Sequence, residues 1–102
     1  MADLPEFLAH CTGFQWDAGN TGKNLKVHQV TDTEAEQIFF NRPVLIAPDL
    51  AHSGREQRFA ALGHTDEGRD LALVFTVRTS LIRVISARDM SRKERKHYGE
   101  AS

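Results

Sequence analysis

Two apolar runs joined by a very short connection constrain the fold of this chain most strongly. "LALVFTV" occupies residues 71–77 and "LIRVISA" occupies residues 81–87, so that only "RTS" separates them. Both runs are apolar and partly β-branched, and both have the length of a strand. Because parallel strands would need a crossover of a dozen or more residues, we predict that the two runs pair as an antiparallel hairpin.

Further strand signals precede this hairpin. "VLIAP" follows a proline, "QRFAALGHT" ends at the turn signal "DEGRD", and "FQW" (14–16) is a short additional strand candidate. We predict a four-stranded antiparallel sheet, and its strands are 44–48, 56–65, 70–78 and 81–87.

Capping patterns place the helices. Two segments fit a capping box: "TDTE" (31–34) and Ser91-x-x-Glu94. In each, the first hydroxyl can accept a hydrogen bond from the backbone amide of the glutamate, and the glutamate carboxylate can accept one from the backbone amide of the first residue. Asp17 can cap an earlier helix, and the residue before Pro43 avoids the helical region. We predict helices near 17–28, 31–40 and 91–98. Two N-terminal helices and one C-terminal helix, segregated from an antiparallel sheet, define an α+β domain.

Length and composition suit one domain over residues 1–102, with residues 1–12 as a loose leader. Apolar residues make up 40% and charged residues 26%, which argues against overall disorder. No run approaches the ~20 apolar residues of a membrane span, and "MADLPEFLAH" lacks the apolar core of a secretory signal. We therefore expect a cytoplasmic protein that does not contact a membrane.

Charge is unevenly distributed along the chain. Residues 1–70 hold 6 Lys and Arg against 11 Asp and Glu, whereas residues 71–102 hold 7 against 3. The net charge of −1 argues against a general nucleic-acid binder. The basic C-terminal part nevertheless suggests a local anion site or a charged partner.

Four arginines lie on or at the ends of three successive strand candidates; they are Arg58, Arg78, Arg83 and Arg88. Several guanidinium groups on a half-buried sheet face are costly unless each finds an acid or an anion. Two interpretations stay open. One is salt bridges with Glu56, Asp70 and Asp89; the other is recognition of phosphate, which the guanidinium binds through two prongs.

The last predicted helix is basic, and its cations are Arg92, Lys93, Arg95, Lys96 and His97. Such a face is either solvated or a rim that attracts a polyanion. Tyr98, at its end, either packs on the sheet or stacks on a base.

Histidine offers proton transfer but no metal site. The five histidines lack H-x₃-H or H-E-x-x-H spacing, so we predict neither a metal nor another cofactor. His28 ends "KNLKVH" beside Lys23 and Lys26, and an imidazole with its ordinary pKa of ~6.5 can exchange a proton at neutral pH. Alternatively, His28 is bonded by carbonyl groups at a helix end. No glycine-rich phosphate loop or G-x-S-x-G elbow is present, which argues against nucleotide and serine hydrolases.

Several segments in order resemble one family. They are "FQWDAGNTGKNLKVHQV", "EQRFAALGHTDEGR", "LVFTVR", "IRVISAR" and "KERKHY". The set, from about Phe14 to Tyr98, is similar to the BrnT toxins of type II toxin–antitoxin modules. The resemblance implies a RelE-like fold and a metal-independent endoribonuclease. It also implies inhibition by a ribbon-helix-helix antitoxin, through which the complex contacts operator DNA.

The resemblance also implies roles for individual residues. The family's Lys-His-Gly reads Val27-His28-Gln29 here, so His28 is kept and the lysine role falls to Lys23 or Lys26. His28 would then transfer a proton, while Arg58 and Arg88 would stabilise charge on the scissile phosphate. Substrate binding would fall to Lys23, Lys26, Arg78, Arg83 and Tyr98.

Two other classes of function compete with the toxin. One is a non-catalytic member of the same fold that acts in complex formation and operon autoregulation. The other is a small structural domain without an anion site. An adjacent reading frame of ribbon-helix-helix type would favour the toxin.

Overall fold

The structure, a computed structural model, describes residues 6–51 and 53–101, in which the chain forms four helices and five strands. In chain order these are α1 (Glu6–Ala9), β1 (Gly13–Phe14), α2 (Lys23–His28), α3 (Asp32–Gln37), β2 (Leu45–Pro48), β3 (Phe59–His64), β4 (Asp70–Arg78), β5 (Leu81–Asp89) and α4 (Arg92–Ala101). The predicted α+β class is confirmed. Within the described ranges, no helix is both long and apolar enough to cross a membrane.

The predicted hairpin forms and lies inside the sheet. The strand order is β1-β5-β4-β3-β2, and β2–β3, β3–β4 and β4–β5 all pair antiparallel. Thr79 and Ser80 turn the chain between β4 and β5 with φ of 51° and 66°. Positive φ at both central residues is what a type I′ hairpin turn requires. Local turn geometry therefore fixes this pairing.

The prediction of four purely antiparallel strands is wrong, because the sheet has five strands and is mixed. Gly13 and Phe14 add a parallel edge strand opposite Leu81 and Ile82. A strand of two residues has no detectable periodicity, and its partner lies more than sixty residues away. The candidate "FQW" therefore indicated a strand in this region, but its sequence did not reveal the partner.

Side-chain amides extend the short β1 along the edge of β5. Asn20 donates its Nδ2 to the Val84 carbonyl at 3.1 Å, and Asn24 accepts the Ala87 amide through Oδ1 at 2.9 Å. Both asparagines are buried. They satisfy backbone groups of β5 that a longer β1 would otherwise pair.

Helix boundaries differ from prediction where local capping competes with the helix. Asp17 accepts the Gly19 amide at 2.8 Å and so caps a turn, and α2 begins only after Gly22, whose φ is +70°. α3 ends at Gln37, three residues before the predicted end. The capping boxes at Thr31 and Ser91 are both confirmed.

One face of the sheet carries the main core. Leu73, Phe75 and Val84 point to this face and pack against α3 and the turn that follows it. Leu8 of α1 is also buried in this core. Part of the predicted loose leader is therefore packed against the domain, whereas residues 1–5 lie outside the described residues.

The opposite face of the sheet is only partly covered. At one end α4 covers it, where Ala72, Met90 and Tyr98 form a second apolar cluster. Strand alternation places Ala60, Val74 and Ser86 on the same side. We call this side of β2–β5 the open face.

Candidate functional site

Strand register brings the predicted arginines to the open face. Phe59 pairs with Phe75, so Arg58 lies beside Thr76, which in turn pairs with Arg83. The Thr76 hydroxyl donates to the Gln57 carbonyl at 2.8 Å, which ties this row together. With strands ~4.8 Å apart, Arg58 and Arg83 lie ~10 Å apart at the backbone.

Arg88 lies on the same face at the other end. It pairs with Ala72, four residues along β4 from Thr76, or ~13 Å at the rise of a strand. α4 begins just beyond it. The open face therefore carries arginines at both ends, with small side chains between them.

A β-bulge makes this arrangement possible. Arg83 and Arg88 are five residues apart, and strict alternation would place them on opposite faces. The β4–β5 ladder shifts between Val74 and Phe75, which pair with Ser86 and Val84, and so leaves Ile85 without a cross-strand partner. No pattern in the sequence signals this extra residue.

Three of the four arginines are held by acids in two-pronged pairs. Arg78 binds Glu56 at 2.5 and 2.9 Å, and Arg83 binds Asp17 at 2.8 and 3.1 Å. Arg88 binds Glu94 at 2.7 and 2.9 Å. Three of the four arginines therefore form salt bridges, as the first interpretation expected, although most of their acid partners differ from the expected ones.

Among the predicted acid partners, only Glu56 pairs with one of these arginines. Asp89 binds Arg69 instead. Within the described ranges, Asp70 makes no ion pair with the four arginines.

Arg58 differs from the other three. Across residues 6–51 and 53–101, its guanidinium makes no hydrogen bond or ion pair. Hydrogen bonds from Arg78 lower the pKa of Glu56, and the charges of Arg58 and Arg83 lower this pKa further. Arg58 and Arg83 thus act on the Glu56 carboxylate through their charge, and Arg58 is the one of the four arginines without an acid partner in the described ranges.

The Arg88–Glu94 pair borders a cavity of about 280 Å³ on the open face. Hydrogen bonds from Arg88 and from the Ser91 amide lower the pKa of Glu94 to about 2. Glu94 is therefore a carboxylate at neutral pH, and it serves both the ion pair and the start of α4.

His28 lies at the edge of β5. Its carbonyl accepts from Arg69 Nη2 at 3.3 Å, and the same nitrogen donates to Asp89 at 3.1 Å. His28 is therefore held beside the residue that follows Arg88, with its side chain exposed. It does not share the open face with Arg58.

Sequence reasoning missed Arg69. This residue donates to Asp89, Glu34 and the Gln29 carbonyl, and so ties the end of α2 to α3 and β5. In the sequence, Arg69 is distinguished only by its position just after the "DEG" turn. The sequence does not indicate which acidic residues pair with it. Arg69 positions His28 and does not face the open side.

The remaining predicted site residues lie elsewhere. Lys23 and Lys26 are exposed on α2. Tyr98 is buried, and its hydroxyl donates to the Pro43 carbonyl at 2.6 Å and contacts His64 Nδ1 at 2.7 Å. Burial also raises the pKa of Tyr98. Of the two sequence interpretations, packing on the sheet is therefore the one observed.

Metal ligands are not grouped in the part of the chain that the structure describes: no cluster of three or more His, Cys, Asp or Glu side chains suits an ion there. His52 lies outside that part.

Comparison with known proteins gives one family. A family model described as the ribonuclease toxin, BrnT, of type II toxin–antitoxin systems matches residues 16–94. The match includes the open-face arginines and α2, and it ends before Tyr98. A comparison with curated proteins gives no match.

Proposed function

Because this chain belongs to the BrnT family of ribonuclease toxins of type II toxin–antitoxin systems, we propose that it cleaves RNA on its open face, as an endoribonuclease that needs no metal ion. The observation that carries this proposal is the row of guanidinium groups across β3–β5 with Arg58 uncommitted. A sheet face that presents an unpaired arginine beside two paired ones suits an anion that moves in from solvent.

Metal-free cleavage needs a base at the ribose 2′-hydroxyl, an acid at the 5′-oxygen and cations around the phosphorane. Arg58 and Arg88 supply the cations in this proposal. His28 supplies one of the two proton transfers. An RNA strand that binds Arg88 at the end of β5 would pass the edge of β5, where His28 lies. Lys23 and Lys26 lie on the same helix as His28 and bind the phosphates that follow.

The proposed inhibitor is a ribbon-helix-helix antitoxin, which would also carry the DNA contact of the complex. α4 presents Arg92, Lys93 and Lys96 to solvent, so an acidic segment of the antitoxin would be steered toward it. A RelE-like fold and a cytoplasmic location belong to the same proposal.

A second candidate is a binding partner of the same fold without catalysis. It is favoured by the three arginines that already have carboxylate partners, because RNA must displace those acids before it can use them. In that case the role of the protein would be complex formation and operon autoregulation.

Expression without an antitoxin separates the two candidates. We expect growth arrest and degradation of bulk RNA with the native chain, and neither with Arg58→Ala. Arg42→Ala is the matched control, because it removes the same charge at the opposite end of the β2–β3 pair. A native chain that leaves growth and RNA intact would favour the binding partner.

A further inference from the structure

Arg88 and Glu94 border the open-face cavity together, beside the small side chains of Ala60, Ala72 and Ser86. The cavity has a volume of about 280 Å³. Both charged side chains reach solvent, with 45% of the Arg88 side chain and 29% of the Glu94 side chain exposed. A ligand that enters the cavity therefore meets a guanidinium and a carboxylate side by side.

The guanidinium of Arg88 keeps one of its edges unused. Of its five N–H groups, Nη1 donates to Glu94 Oε1 at 2.7 Å and to the Asp89 carbonyl at 3.1 Å, and Nη2 donates once, to Glu94 Oε2 at 2.9 Å. In the part of the chain that the structure describes, Nε and the second N–H of Nη2 have no acceptor. These two groups lie on the same edge of the planar guanidinium and point the same way, as a second fork.

The free Nε–Nη2 edge suits a phosphate, which accepts two parallel N–H bonds from such a fork. Glu94 keeps the other edge, so a phosphate can reach Arg88 without displacing this acid. For Arg88, this weakens the case for the binding partner without catalysis. Because both anions would bond Nη2, a phosphate oxygen and Glu94 Oε2 would lie roughly 5 Å apart.

The two carboxylate oxygens of Glu94 differ in their partners. Oε1 accepts from Arg88 Nη1 at 2.7 Å and from the Ser91 amide at 2.8 Å, which holds the side chain at the start of α4. Oε2 accepts only from Arg88 Nη2 within the described residues. The oxygen with spare acceptor capacity is therefore the one next to the free edge of Arg88.

This placement fits the base that metal-free cleavage requires. The attacking 2′-oxygen must approach phosphorus to about 3 Å, so its proton lies next to a phosphate on the free edge of Arg88. A general base must come within about 3 Å of that oxygen, and Oε2 is a carboxylate oxygen on the same side.

The ionisation of Glu94 agrees with such a role. Hydrogen bonds from Arg88 and Ser91 lower its pKa to about 2, so the base is ready in its charged form at neutral pH. A bound phosphate adds negative charge beside Glu94 and shares the positive charge of Arg88, and both effects raise the pKa again. The carboxylate therefore becomes a stronger base when the substrate arrives.

We propose that Glu94 is the general base of RNA cleavage, with Oε2 taking the proton of the ribose 2′-hydroxyl while the scissile phosphate binds the free Nε–Nη2 edge of Arg88. The 2′-oxygen forms a bond to phosphorus as the bond from phosphorus to the 5′-oxygen breaks, and the 5′-oxygen takes a proton from His28. The products are a 2′,3′-cyclic phosphate and a 5′-hydroxyl, after which Glu94 releases its proton to water and His28 regains one. The inference rests on the proposed function and assigns the proton transfer that His28 does not make.

Two kinds of substrate separate a base from an acid. One is a short RNA, and the other is the set of four nucleoside 3′-(4-nitrophenyl phosphates), whose 4-nitrophenolate leaves without a proton. Glu94→Gln should lower the single-turnover rate by about 10²–10⁴ on both kinds. His28→Ala should lower the rate on RNA alone, because the nitrophenyl substrates need no acid. Glu100→Gln, the same substitution at an exposed position of α4, should stay within about twofold of the native rate on both.

Binding of inorganic phosphate separates a base from a residue that only holds Arg88 in place. The titration is followed through the NMR signal of the Arg88 Nε–H group. Glu94→Gln removes a negative charge next to the phosphate, so its affinity for phosphate should be at least that of the native chain. Removal of a residue that only positioned Arg88 would instead weaken phosphate binding.

Three results would each overturn the assignment and leave the ribonuclease function standing. They are native RNA cleavage by folded Glu94→Gln, native cleavage of the nitrophenyl substrates by this variant, and weaker phosphate binding by it. If Glu94→Gln does not fold, Glu94→Asp decides, because withdrawal of the carboxylate by one methylene should slow both reactions about tenfold or more; unchanged rates would overturn the base. A native chain that cleaves no RNA would refute the ribonuclease function, and the base with it.

Discussion

Arg83 and Arg88 face the same side of β5, although they are five positions apart, an odd offset that regular alternation would place on opposite faces. Ile85, the extra residue of the bulge, shifts the alternation between them. If the same sequence paired without a bulge, Ala87 would leave the core and Arg88 would enter it, because a one-residue slip exchanges the two faces of a strand. The bulge therefore determines whether the open face has two charged ends or one.

Deletion of Ile85 should accordingly keep Arg88 on the open face, because Val84 and Ser86 then become consecutive and the β4–β5 ladder becomes regular. We expect the deletion variant to unfold cooperatively. One alanine inserted between Ser86 and Ala87 should instead abolish cooperative unfolding, since either a buried Arg88 or a broken ladder costs more than about 4 kcal/mol. Ile85→Val should cost about 1 kcal/mol. Circular dichroism melts measure all three variants. A deletion variant that loses cooperative unfolding, or an insertion variant that melts within a few degrees of the native chain, would show that the bulge does not set the register in this way.

Arg58 and Arg88 should be needed for activity and not for folding. Loss of one charge-stabilising donor lowers a rate by about 10²–10³, so each alanine variant should abolish growth inhibition. Arg58→Ala should change the free energy of unfolding by less than about 0.5 kcal/mol, because its guanidinium has no partner in the described part of the chain. Arg88→Lys should also be inactive, since an ammonium cannot make the two-pronged phosphate contact. If both alanine variants are folded and still toxic, the catalytic site lies elsewhere.

His28→Ala should lower the cleavage rate by about 10²–10⁴, the usual contribution of a positioned proton donor or acceptor. His10→Ala is the control, because His10 is exposed near the N-terminus, away from the open-face arginines. Cleavage by the native chain should persist in EDTA. Single-turnover assays on a short RNA measure all three. Abolition of cleavage by the chelator would contradict the metal-free mechanism.

Glu94 should make stability depend on pH in the acid range. Its pKa is lowered to about 2 in the folded chain from the ordinary 4.5. The stabilisation is therefore complete above pH 4.5 and is lost as the pH falls toward 2. Glu94→Gln should cost about 1 kcal/mol at pH 7, since it weakens a partly exposed ion pair and a helix cap. The difference from the native chain should shrink between pH 4.5 and pH 2, as urea unfolding would show. Glu100→Gln, exposed on the same helix, should show no such trend.

Antitoxin binding should depend on the cations of α4. Removal of the whole helix is not a clean test, because Tyr98 is buried against the sheet. Lys93→Glu with Lys96→Glu reverses two exposed charges and should slow association about tenfold at low salt, with a weaker salt dependence. Arg55→Glu is the control outside this helix. Unchanged association kinetics of the double variant would place the interface elsewhere.

Local signals predicted most of the fold. The three-residue connection at Arg78 fixed the hairpin, and the boxes at Thr31 and Ser91 fixed two helix starts, because each depends only on residues close in sequence. The pairing of β1 with β5 could not be predicted, since two residues carry no period and their partner is distant.

The candidate site was predicted in composition but not in geometry. Arg58, Arg78 and Arg88 were identified, yet their shared face depends on cross-strand register and on the bulge. His28 was identified as well, but its position beside Asp89 depends on Arg69, which has no distinctive sequence context. Tyr98 was left with two interpretations, because the burial of an aromatic ring at a helix end depends on what the helix covers.

The asparagine amides along β5 have a consequence for assembly. An uncovered strand edge is a template on which another chain can add a strand. Asn20 and Asn24 occupy that template at one margin of the sheet. At the other margin, Pro48 of β2 offers no N–H to a newcomer. Copies of this protein should thus resist edge-to-edge polymerisation at these positions, and we expect a binding partner to engage side chains there rather than lengthen the sheet.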